Sequence, residues 1–200
     1  PDPRFRLDAF DCVTFVETAL ALGGAASVAE AARLMDDVRY AGPPDFAHRN
    51  HYVEAQWLPS LVEKGWLEPA TRRVAPEAAV RVEKRLDAAL WRAAERSGHV
   101  LPDLPPSRRP VGTFALDMLP LAPARQMAPR LEPGLVLLVV REDRADRPYR
   151  VTHMGVVVAD ARGRRYLRHA SDVPGVMKVR DEPLDAFLSR HARQRWWPVA

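Results

Sequence analysis

Cys12 is the only cysteine among 200 residues. It stands in the run Asp11-Cys12-Val13-Thr14-Phe15-Val16-Glu17. One thiol excludes an intramolecular disulfide and a cysteine-built zinc site. What remains is a buried structural thiol or a nucleophile. The spacing places Cys12 in the first turn of a helix, just after the acidic cap Asp11. Unpaired N–H groups and the helix dipole there favour a thiolate. Position alone does not separate the two readings.

A thiol nucleophile needs a base. His153 opens the apolar run His153-Met154-Gly155-Val156-Val157-Val158, which reads as a strand beginning at the rim of a sheet. Gly155 lies two residues on, on the same face, and leaves room for another backbone or a ligand. His169 lies on the next expected strand, in Leu167-Arg168-His169-Ala170-Ser171. A hairpin turning near Ala161 to Gly163 lets the two histidines face each other across the ladder. That is the arrangement of a base and the group that orients its ring. The alternative is a pair of exposed hairpin histidines.

Other chemistries find less support. His48 and His51 form His-x-x-His, but neither an acidic residue at ligand spacing nor a second cysteine accompanies them, so no metal is expected. No Gly-x-Ser-x-Gly elbow, phosphate loop or dinucleotide fingerprint occurs, and no cofactor is expected. Trp196-Trp197 reads as edge-strand packing rather than a sugar platform. His99 and His191 carry no usable signal.

The elements that must position these groups follow from periodicity and punctuation. A helix is expected from about Asp11 to Leu22, ending at Gly23-Gly24. Ser27-Val28-Ala29-Glu30 is a capping box opening a second helix, which ends by Gly42-Pro43-Pro44. A third helix runs from Val53 to Lys64, with Pro59 as a kink. Ala79 to Ala94 fits one helix, or a strand followed by a helix. Beyond Pro110 the apolar period shortens to two or to short blocks. Strands are expected over Thr113 to Met118, Leu135 to Arg141, Val151 to Ala159, Tyr166 to Ala170, Val176 to Arg180 and Trp196 to Val199, with a helix over Leu184 to His191. Helices first and antiparallel strands second is the order of an α+β fold. One domain over residues 1–200 is expected, helical over about 1–100 and sheet over about 110–200.

Composition narrows the function classes. Hydrophobic residues make up 47% and charged residues 28%, as in ordinary soluble globular chains. The longest uninterrupted apolar run, Leu135 to Val140, is far too short to span a membrane. Net charge is +4, and lysine occurs only at Lys64, Lys84 and Lys178. The arginine bias, with 19 prolines and abundant alanine, reflects codon usage rather than a nucleic-acid surface. The densest basic stretch, Arg141 to Arg168, is interrupted by Glu142, Asp143, Asp146 and Asp160, and reads as a solvated hairpin face. A mild positive excess favours small, carboxylate-rich ligands.

The motif around Cys12 resembles the nucleophile motif of NlpC/P60-type cysteine hydrolases, above all the N-acetylmuramoyl-L-alanine amidase-like branch. His153-Met154-Gly155-Val156-Val157 is similar to that branch's His-Val-Gly-Ile strand, and His169-Ala170-Ser171 to its His-Ala-Ser. Arg49-Asn50-His51-Tyr52 with Trp57 resembles its Arg-Thr-His-Tyr…Trp segment. Two departures stand out: Gly134 is followed by Leu135 where relatives carry Gly-Asp, and no tyrosine lies upstream of Cys12. The resemblance implies a papain-like α+β fold with Cys12 as nucleophile, His153 as base and His169 as orienting residue. It implies hydrolysis of the amide between N-acetylmuramic acid and L-alanine in anhydro-muropeptides, during wall recycling or remodelling. A γ-D-glutamyl-diaminopimelate endopeptidase and an inactive wall-binding domain are the alternatives. Arg39, Tyr40, Asn50, His51, Tyr52 and Trp57 are the candidates for contacting substrate. The expected partner is a muropeptide, with neither nucleic acid nor a membrane span involved, and the expected state is a monomer. The expected location is the periplasm or cell envelope. A chain that opens on Pro1 rather than methionine fits the loss of an export segment.

Overall fold

The computed structural model describes residues 4–6, 8–171 and 173–192. The expected strand Trp196 to Val199, and Trp196-Trp197 with it, lies outside them. The first helix, α1 (Cys12–Gly24), is set by a reciprocal cap: Asp11 Oδ1 accepts from the Thr14 amide at 2.7 Å, and the Asp11 amide donates to Thr14 Oγ1 at 3.0 Å. The cap of α2 (Val28–Arg39) is equally local, with Ser27 Oγ accepting from the Glu30 amide at 3.1 Å. The third expected helix is two pieces: a π-helical turn over Val53–Trp57, then α3 (Leu58–Glu63). Pro59 lies in the first turn of α3, where its missing N–H costs little. Its ring would crowd the carbonyl one turn back, and the wider π turn makes space for it.

After the short α4 (Thr71–Val74), the ambiguous stretch resolves into β1 (Val80–Leu86) and α5 (Ala88–Arg96). Asp87 divides them by capping α5, its side chain accepting from the Ala89 and Leu90 amides at 3.0 Å each. A strand thus falls inside the half expected to be helical. It pairs antiparallel with β2 (Gly112–Met118), Val82 opposite Leu116. Then α6 (Leu121–Met127) leads to β3 (Val136–Val140), β4 (Val151–Ala159), β5 (Arg165–Ser171) and β6 (Lys178–Pro183). These four form an antiparallel sheet in chain order, followed by α7 (Leu184–Ala192). The result is an α+β fold of helices and antiparallel sheets.

The four-stranded sheet separates two apolar cores. Val16 of α1 packs with Trp57, Leu61, Val140, Val151 and Met154 on one side. Val139, Val157 and Leu167 pack with Leu184, Phe187 and Leu188 of α7 on the other. Trp57 is wholly buried, and truncating such a residue to alanine costs about 3–5 kcal/mol. The register of β3 against β4 slips by one residue: Val139 is opposite His153, but Val140 is opposite Val151. This bulge at Thr152 turns Val151 into the α1 core while His153 keeps to the α7 face.

Buried ion pairs tie the helices to one another and to the strands. Glu17 of α1 accepts from Arg39 Nε at 2.8 Å, with Arg49 at 3.6 Å. Glu54 in the π turn accepts from Arg150 Nε at 3.0 Å, just ahead of β4. Breaking such a buried pair by removing one partner costs about 3–5 kcal/mol.

Candidate active site

Cys12 begins α1 and packs at the edge of the core between that helix and the sheet. It lines a cavity of about 340 Å³ together with His51, Tyr52, His99, Tyr149 and His153. Burial pushes the Cys12 thiol up from its ordinary value. The backbone N–H groups of Met154, Cys12 and Val13 pull the other way, and the Asp11 carboxylate adds to the rise. Desolvation of the anion thus works against what the helix terminus offers a thiolate.

His153 enters at the beginning of β4, ahead of the first pair with β5, Val156 opposite Arg168. Pairs in this ladder place His169 two residues diagonal from the position directly opposite His153. The two rings nevertheless meet edge to face, with His153 Nε2 and His169 Nδ1 2.8 Å apart. Gly155 makes the approach possible. A Cβ there would lie 2.8 Å from the Arg168 carbonyl oxygen and 2.9 Å from His169 Cβ. The space left by the missing side chain is filled by β5 itself. Phe187 of α7 backs both rings, at 6.1 Å from His153 and 5.4 Å from His169 between ring centroids.

The chain of contacts continues to a residue the sequence motifs did not single out. His169 Nε2 lies 3.2 Å from Glu182 Oε2, and Arg190 NH2 donates to the same oxygen at 2.9 Å. Burial opposes ionisation of Glu182, but Arg190 and Arg180 outweigh it and hold its carboxyl below the usual carboxylate range. An ionised carboxylate only accepts, which assigns the protons along the row. His169 Nε2–H donates to Glu182, and His169 Nδ1 accepts from His153 Nε2–H. His153 is left with Nδ1 as its basic atom. Burial also lowers the His169 pKa, against the opposing pull of Glu182, so a neutral ring is favoured there. The signal for Glu182 was its place on the strand that pairs with β5, visible only once β6 is known to run beyond Arg180.

The remaining expected contacts divide sharply. His51 and Tyr52 line the Cys12 cavity. Asn50 lines a separate cavity of about 440 Å³ beside Arg108 and Arg109. Arg39, Tyr40 and Trp57 are buried. Arg39 pairs with Glu17, the Tyr40 backbone bridges Arg49, and Trp57 fills the α1 core. None of these three lines the Cys12 cavity, and their contacts help to hold the fold. His48 and His51 turn to different partners, Asp45 Oδ1 at 2.7 Å and the Phe46 carbonyl at 2.7 Å. An acidic neighbour therefore does stand at His48, three residues before it, as the cap of a 3₁₀ turn.

Comparison with known proteins agrees with this architecture. A protein from Legionella pneumophila str. Philadelphia 1 superposes with a TM-score of 0.80 at 19% identity, over 97% of this chain and 75% of that one. A Bacteroides fragilis protein provisionally named a xylanase gives 0.72 at 20% identity, over 98% and 86%. An N-acetylmuramoyl-L-alanine amidase from Bacteroides uniformis ATCC 8492 gives 0.68 at 23% identity, over 96% and 83%. At these identities the likeness is one of fold. No curated protein sequence matches. The AmiA-like family model, described as N-acetylmuramoyl-L-alanine amidase-like, matches residues 1–193. The chain belongs to that family.

Proposed function

We propose that the protein is a cysteine amidase that hydrolyses the bond between N-acetylmuramic acid and L-alanine in peptidoglycan fragments, anhydro-muropeptides among them. One observation carries the cysteine mechanism: Cys12 and His153 line the same cavity, and His153 Nε2 is engaged by His169. His153 Nδ1 takes the thiol proton as Cys12 sulfur attacks the amide carbonyl, and N–H groups at the start of α1 stabilise the oxyanion. The raised thiol pKa fits a thiolate formed only as the base acts. Collapse of the tetrahedral species breaks the C–N bond, and His153 returns the proton to the leaving amine. Water, deprotonated by His153, then releases the acyl group and restores the thiol. His169 holds the productive tautomer, and Glu182 holds His169. Family membership supports the choice of bond, and wall chemistry supports an envelope location.

A glycosidase reading finds no footing. Hydrolysis of a glycosidic bond commonly needs two flanking carboxylates, whereas no carboxylate lines the Cys12 cavity among the described residues. The test is digestion of a disaccharide-tripeptide muropeptide followed by mass spectrometry. Free tripeptide and peptide-free sugar are expected. Sugar still bearing a dipeptide would identify a γ-D-glutamyl-diaminopimelate endopeptidase instead. Intact substrate that nonetheless binds would indicate a catalytically silent wall-binding domain.

A further inference from the structure

A second cavity, of about 500 Å³, opens on the α7 side of His153 and shares Tyr149, Thr152 and His153 with the first. The two differ in charge. Among the described residues the Cys12 cavity is lined by aromatic and apolar groups and histidines, with no arginine or carboxylate. The second is lined by Arg141, Arg144, Arg147 and Arg190, against one carboxylate, Glu142. Two of these arginines have acidic neighbours, Arg190 with Glu182 and Arg144 with Asp146 at 3.5 Å. Arg147 is different: its Nε is buried with no hydrogen-bond partner among the described residues. A buried guanidinium donor left unpaired is costly unless a ligand completes it. Arg141 donates from Nε to Thr152 Oγ1 at 3.1 Å, which anchors its head at the junction of the two cavities.

We propose that this arginine cavity, with Arg147 at its centre, binds carboxylates of the peptide portion of the substrate. The inference rests on the cysteine amidase reading, and two arguments lead to it. His153 must reach the leaving nitrogen to protonate it, so the peptide departs from the His153 side while the acyl group stays on Cys12. Charge sorts the two halves the same way. The muramoyl group is uncharged once its carboxyl is in the amide, whereas an acidic stem peptide carries several free carboxylates. A guanidinium pairs with a carboxylate through two parallel hydrogen bonds, which fixes orientation as well as affinity. The sugar is thereby assigned to the cavity walled by Tyr52, His99 and Tyr149, and the stem to the arginines.

Calorimetry tests this without turnover. The free acidic tripeptide L-alanyl-γ-D-glutamyl-diaminopimelate and its fully amidated counterpart are titrated into Cys12→Ala, Cys12→Ala/Arg147→Gln and Cys12→Ala/Arg72→Gln. Arg72 pairs with Asp117 on the exposed face of β2 and controls for net charge. The expected result is that Arg147→Gln weakens binding of the acidic peptide about ten- to a hundredfold. It leaves the amidated peptide within threefold, on the order of measurement scatter, and Arg72→Gln changes neither. Equal affinity for the two peptides, or equal losses on both in the Arg147 variant, would overturn the proposal. Thermal melts establish that each variant is folded, and Arg147→Lys, which keeps charge but not the planar fork, should recover only part of the loss. Failure of the amidase reading shows separately, as intact muropeptide or a different cleavage product in the digestion.

Discussion

Cys12 and His153 face one cavity from elements built in different ways. The helical side is local. Asp11 and Thr14 cap each other across three residues, and the cap alone decides where α1 begins. The sheet side is assembled from distance. His153, His169 and Glu182 come from three strands and meet only because the registers of β4, β5 and β6 bring them together. The approach of two rings depends on one absent side chain, at Gly155. A locally coded element tolerates perturbation by fraying, whereas a packed ladder must shift as a body. Cys12 should therefore be robust in position and His153 brittle.

The largest effect tests the chemistry both sides serve. Cys12→Ala should lower amide hydrolysis by at least about 10⁴-fold while leaving the melting temperature nearly unchanged. Retained turnover would remove the cysteine from the mechanism and void the comparison. Gly155→Ala comes next. Its methyl would meet the Arg168 carbonyl, so a loss of about 1–3 kcal/mol in stability is expected. Activity should also fall about a hundredfold at temperatures where the variant is folded. Full activity in a stable Gly155→Ala protein would show that the sheet side is not brittle.

Glu182→Gln keeps shape but removes the charge that orients His169. The kcat should fall about tenfold with KM unchanged, since only the tautomer control behind general-base catalysis is weakened. On the helical side, Asp11→Ala should cost about 1 kcal/mol of stability and change kcat only a few-fold. Because the Asp11 carboxylate holds the thiol up, this variant should also alkylate faster with iodoacetamide. A hundredfold loss of activity instead would make the helix start as fragile as the sheet.

The smallest effect is a pH dependence of folding. His169 is held below its ordinary value of 6.5, mainly by burial. As pH falls, the unfolded chain takes up this proton before the folded one does. Stability is thus full above about 6.5 and declines below it, toward the folded-state pKa. Melts between pH 5 and 7.5 should show this slope, and His169→Asn should flatten it.

Much of the geometry of the candidate site could be read without coordinates, for identifiable reasons. Cys12 was legible because a helix start is written in adjacent residues. The two histidines were legible because a short hairpin leaves few registers, although the ladder proved diagonal rather than directly opposite. The substrate-contact residues were less so. Arg39, Tyr40 and Trp57 share polar or aromatic character with binding residues, and no local pattern distinguishes an arginine paired with Glu17 in a core from one facing a ligand. Nothing in the spacing of Val53 to Lys64 announced that Pro59 would be accommodated by a π turn.

Sequence by itself determined the caps, the strand alternation, the lone thiol and the order in which Cys12, His153 and His169 appear. These depend on neighbours within a few residues, where backbone hydrogen bonding and periodicity leave little choice. Tertiary structure alone decided the bulge at Thr152, the third partner Glu182, the rise of the Cys12 thiol and the gathering of arginines beside His153. Each of these is a matter of desolvation or register between distant segments, and burial is a property of the packed whole rather than of any stretch of chain.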